Sequence, residues 1–132
     1  YKGPDREDRR LNLMTRVIFY RRDGIIYGFR EQGHTGYGES GDDVLCAALS
    51  AMTMLIINTA EIAYASDVEY TIDEKTTDIK LIIRGALPEY SADEKKQFAL
   101  SGLLTGYYYQ LNDLIEDYYD YLEVEITDED PD

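Results

Sequence analysis

The chain holds 132 residues, enough for one domain with a real hydrophobic core, and its 27 acidic against 13 basic side chains give a formal net charge of -14. A surface of that sign repels phosphate backbones, which argues against direct nucleic-acid binding, and draws in cationic partners. A single cysteine excludes an internal disulfide framework, no apolar run reads as a membrane span, and with no secretory signal in view a soluble, cytoplasmic protein is the expectation.

Residues 1–13 are rich in Arg and Asp without periodicity and are expected to form a loosely attached extension. A single domain is expected over residues 14–126, followed by an acidic tail, 127–132, that should fray. Within the domain, β-branched and aromatic runs at 14–20 and 24–31 flank Asp23-Gly24, a strong hairpin signal. The second strand then delivers the chain into a glycine-rich loop, Gly33 to Gly41, which holds the only histidine, His34. Gly36, Gly38 and Gly41 make that loop conformationally permissive.

An alanine-rich apolar run follows, read as a helix over residues 43–64. It is apolar on nearly all sides, so it is expected to be the covered, central helix. Residues 67–73 alternate strictly, with Val68, Tyr70 and Ile72 on one face, and 78–84 return with Ile79, Leu81 and Ile83 to form a second hairpin. Ser91-Ala92-Asp93-Glu94 is a capping-box sequence that opens a second helix to about residue 119, with Phe98, Leu100, Leu104, Tyr107 and Leu111 among its apolar positions. A last strand alternates over 122–126. The order strand, strand, helix, strand, strand, helix, strand predicts an α+β domain: a five-stranded, largely antiparallel sheet with two main helices packed on it.

The chemistry concentrates between Gly33 and Ser50. A helix starting at Asp43 puts Cys46 in its first turn, where amides without intrahelical acceptors and the positive end of the macrodipole favour an anion. A free thiol has a pKa of about 8.5, which a helix N-terminus or a histidine partner brings down. The bland alternative is that Cys46 is a small buried hydrophobe and His34 polar surface. Ser50 lies one turn beyond Cys46 on the same face, able to support the thiolate side or to bond its own preceding carbonyl. Asp43 either orients the histidine or caps the helix. Metal binding is weak as a reading, since zinc sites recruit several Cys or His ligands and this chain has one of each.

Gly33-His34-Thr35-Gly36-Tyr37, followed by Gly41-Asp42-Asp43-Val44-Leu45-Cys46-Ala47-Ala48-Leu49-Ser50-Ala51, resembles the signature of the bacterial ribosomal-processing cysteine protease (Prp) family. That signature reads Gly-His-Ala-Gly-Tyr, then Gly-x-Asp-Ile-Val-Cys-Ala-Ala-Val-Ser-Ala-Leu. Thr35, Val44, Leu45, Leu49 and Met52 are conservative departures that touch neither His34 nor Cys46.

The resemblance implies a cofactor-free and metal-free cysteine endopeptidase. Cys46 as thiolate would attack a peptide carbonyl, and His34 would hold and return the proton. Gly33, Gly36 and Gly41 would shape the loop, and amides around Val44, Leu45 and Cys46 would meet the oxyanion. The substrate it implies is the N-terminal extension of a large-subunit ribosomal protein, cut after a short hydrophobic, aromatic-containing motif; the acidity of this chain agrees with a basic precursor. A homodimer is expected, because clustered rings at Tyr107-Tyr108-Tyr109 and Tyr118-Tyr119 cannot all face inward. The alternative from another class is a non-catalytic acidic module that recognises a basic partner.

Overall fold

Asp23 and Gly24 take φ of 49° and 81°, both left-handed, as the two-residue turn between twisted antiparallel strands requires. They join β1 (Thr15–Arg22) to β2 (Ile25–Gln32), paired antiparallel with a register shift between Tyr20 and Arg21. The structure is a computed structural model that describes residues 14–33, 40–73, 75–76 and 78–132, with only the helical backbone described over 40–43. The expectations for the N-terminal extension, His34, Gly36 and Gly38 fall outside those residues.

The chain continues through α1 (Ser40–Asn58), a π-helical turn (Thr59–Ala63), β3 (Glu69–Ile72), β4 (Ile79–Ile82), short 3-10 turns at Arg84–Ala86 and Pro88–Tyr90, α2 (Glu94–Tyr118) and β5 (Leu122–Asp128). The sheet order is β3-β4-β2-β1-β5, antiparallel throughout except that β5 lies parallel to β1. The long crossover through α2 makes that parallel pairing possible. The domain is thus the expected α+β fold with a five-stranded mixed sheet and two main helices.

The core is built where β1 and β2 meet the helices. Val17, Phe19 and Phe29 are fully buried with Leu45 and Leu49 of α1 and Leu100, Leu104 and Leu111 of α2. Phe19, Phe29 and Tyr107 form an aromatic cluster with ring centroids 5.0 to 5.8 Å apart, edge-on or tilted as ring quadrupoles prefer.

Four local expectations change. The first helix begins at Ser40, three residues before Asp43: Gly41 costs about 1 kcal/mol in a helix, which the apolar stripe behind it offsets. The second is capped by Asp93 rather than Ser91, with Asp93 Oδ1 accepting from the amides of Lys95 at 3.0 Å and Lys96 at 3.2 Å. β3 is exposed along its whole length, Tyr70 and Ile72 included, because it is an edge with β4 as its only strand neighbour. Phe98 also lies outside the core, 64 % exposed.

The tail does not fray. Arg21 grips Asp128 with two nitrogens at 2.7 and 2.9 Å, Tyr27 donates to the Glu129 carbonyl at 2.6 Å, and Arg84 and Tyr90 donate to the Asp132 carboxylate at 2.7 and 2.9 Å. Its acidity is matched by Arg21 and Arg84, which the sheet brings alongside.

The first helix is not covered on all sides. Leu45, Leu49, Thr53, Ile56 and Ala60 form one buried stripe, while Val44, Met54, Leu55 and Ile62 are exposed. By length and composition alone Val44–Ala63 is apolar enough to cross a membrane, against the expectation that no apolar run reads as a span, and 28 % of that stretch is buried in this domain.

Candidate active site

Two elements converge on the site. β2 carries the chain to Gln32 and Gly33, and α1 starts again at Ser40. Gly33 has φ of +85°, and a Cβ there would meet the Met14 carbonyl oxygen at 2.4 Å, so only glycine allows the chain to leave β2 this close to the start of β1. A cleft of about 220 Å³ lined by Met14, Arg16, Gln32, Gly33 and Glu123 opens at this exit. His34 is the next residue along and lies outside the described residues.

Cys46 is a partly buried thiol outside any disulfide. With the helix beginning at Ser40, it is in the second turn rather than the first, and a helical side chain leans back over the preceding turn, toward residues 42 and 43. Within the helix, the amides lacking an intrahelical acceptor are by helix geometry those of residues 40–42, Gly41 among them. Val44 and Leu45 fall two and three residues beyond that set, where helical amides have acceptors. Asp43 is the fourth helical residue, so it does not occupy the N-cap position expected of it, but its place in the first turn still suits a carboxylate. Ser50 is exposed one turn beyond Cys46, on the accessible side of the helix.

Below these residues lies a polar group that sequence reasoning missed. Glu31 is fully buried, and its Oε1 accepts hydrogen bonds from Thr53 Oγ1 at 3.2 Å and from the Tyr107 hydroxyl at 2.5 Å. Thr53 and Tyr107 are themselves only 3 % and 4 % exposed. Burial, and then the charge of Glu31, hold the Tyr107 hydroxyl well above the ordinary tyrosine range, so it stays a donor. The signal was present in the strand's alternation: Phe29 and Glu31 share one face of β2, and a carboxylate beside a core phenylalanine demands partners.

A cleft of about 520 Å³ lies elsewhere, where Arg84 and Tyr90 meet the start of α2. Ile83 donates its amide to the Tyr27 carbonyl at the opposite end of β2 from Gly33, so that cleft does not adjoin Cys46.

The profile of the family described as "Cysteine protease Prp" matches residues 14–123, which defines the protein as a cysteine protease. Its fold is similar to a crystal structure from Streptococcus mutans, with TM-score 0.71 and 26 % identity over 88 % of this chain and 99 % of that one. It is also similar to the essential ribosomal processing protease Prp from S. aureus in complex with a substrate peptide, with TM-score 0.68 and 17 % identity over 86 % of this chain and 100 % of that one. The same S. aureus protease with a covalently linked product peptide gives 0.65 and 20 % over the same shares. No curated protein matches the chain. By the extent of the profile match, the chain belongs to the Prp family of cysteine proteases.

Proposed function

We propose that the chain is an endopeptidase that removes the N-terminal extension of a large-subunit ribosomal protein in the cytoplasm, using His34 and Cys46 as a dyad. The observation that supports this reading is the constrained β2 exit at Gly33, one residue before His34, in a chain whose single thiol is carried by the next helix. The S. aureus relative is described as a ribosomal processing protease, and a net charge of -14 suits a basic precursor.

In this mechanism His34 holds the Cys46 proton and the thiolate attacks the scissile carbonyl carbon, forming a C–S bond as the carbonyl electrons move onto oxygen. Open amides at the start of α1, Gly41 among them, donate to that oxyanion. Collapse breaks the C–N bond, and His34 gives its proton to the departing amine. Water, deprotonated by His34, then hydrolyses the thioester and frees Cys46. Asp43 and Ser50 flank the thiol in supporting positions.

The exposed apolar face of α1 supports a homodimer more than the tyrosines do. Tyr107 is buried and Tyr108 half-buried, leaving chiefly Tyr109 and Tyr119 outside, whereas Val44, Met54, Leu55 and Ile62 extend along the helix. A second copy laid on that face would remove it from water.

The test is cleavage of a ribosomal precursor by the parent chain, by Cys46→Ala and by His34→Ala. Parent activity with loss in both variants supports the dyad. Undiminished cleavage by either variant removes it, and no cleavage by the parent favours the non-catalytic module.

A further inference from the structure

The polar group of Glu31, Thr53 and Tyr107 has no part in the proton transfers just described, yet it lies where the two halves of the site are held together. Glu31 is three residues before His34, and Thr53 is seven residues after Cys46. Seven helical residues fall about 20° short of two full turns, so Thr53 lies beneath Cys46 on the same flank, about 10 Å along the axis. The hydrogen bond from Thr53 to Glu31 therefore ties the helix that carries Cys46 to the end of β2, the strand that precedes His34 in the chain.

Tyr107 closes the joint from the second helix, donating to the same oxygen of Glu31. The three side chains come from β2, α1 and α2, so one buried carboxylate fixes the relation of three elements. Apolar contacts alone would allow α1 to slide or turn on the sheet at little cost, since dispersion and burial are not directional. A buried carboxylate permits no such freedom, because any shift that parts it from its donors leaves polar groups unsatisfied.

We propose that Glu31 is a positioning residue for the protease reaction: by binding Thr53 and Tyr107 it fixes α1, and with it Cys46, against the end of β2 from which the chain runs on to His34. The proposal rests on the dyad reading. It assigns Glu31 no contact with substrate and no proton transfer.

Three variants test it. Glu31→Gln keeps a carbonyl oxygen that can accept from both donors. Glu31→Met keeps the length and removes the acceptor. The triple variant Glu31→Met, Thr53→Val, Tyr107→Phe removes these two donors too, so that neither hydroxyl is left buried without its acceptor, and it serves where Glu31→Met alone does not fold. Cleavage of a ribosomal precursor peptide gives kcat and KM. Iodoacetamide alkylation against pH gives the thiolate midpoint, reporting on Cys46 alone because the chain has one cysteine.

The expected result is that kcat falls by up to about 100-fold in Glu31→Met and in the triple variant, with KM unchanged. The alkylation midpoint rises toward the free-thiol value of about 8.5 in both. Glu31→Gln stays close to the parent in both readings. Parental kcat and midpoint in the folded apolar variants would overturn the proposal, and so would a loss in Glu31→Gln equal to that in Glu31→Met. A parent midpoint already at the free-thiol value, or full cleavage by Cys46→Ala, strikes the dyad itself and takes this inference down by a distinguishable route.

Discussion

The two long helices solve different problems. α2 buries Gln97, Leu100, Leu104, Tyr107 and Leu111 along one stripe and leaves polar residues such as Gln110, Asn112 and Asp113 in solvent. α1 buries a stripe of similar width, yet its opposite side is nearly as apolar as the buried one. A helix that only had to cover this sheet would look like α2. In the proposed homodimer that outer side is what the second copy covers, and the same helix carries the thiol.

That contrast can be broken in stages. Cys46→Ala should lower cleavage at least about a thousandfold while the thermal midpoint stays near the parent's, separating chemistry from packing on α1. Leu104→Ala on α2 should do the reverse: a loss of about 2–5 kcal/mol in denaturant unfolding, from a fully buried side chain whose removal leaves a cavity. Asp93→Ala should cost about 1 kcal/mol in the same measurement, since two amides lose their acceptor. Leu55→Asp, on the exposed face of α1, should leave the folded monomer within about 0.5 kcal/mol, yet shift sedimentation from dimer to monomer. An unchanged sedimentation profile would show that this face is not where two copies meet.

The smallest effect is at the tail. The Arg21 guanidinium bonded to Asp128 holds that carboxyl below its ordinary value of 3.8, and Tyr90 and Arg84 do the same for Asp132. Carboxyls with lowered folded-state values contribute stability that is present above the unfolded value and lost as pH falls through the folded one. The tail should therefore loosen below about pH 4, before the core unfolds, with faster exchange of the Glu129 amide, which donates to the Arg21 carbonyl. Salt should weaken it in the same way, because these pairs are exposed.

The sequence by itself determined the order of elements and the first hairpin. Asp23-Gly24 has few ways to turn between two strands, and alternation or 3.6-residue spacing is written into neighbouring residues. Tertiary structure decided what depends on distant partners. It chose Asp93 over Ser91 as a cap, left the alternating β3 at an open edge, and drew the acidic tail onto Arg21 and Arg84. It also joined Glu31 to Thr53 and Tyr107, 22 and 76 residues away. Local pattern fixes which way a side chain points, but whether a buried carboxylate is satisfied depends on what the rest of the chain brings to meet it.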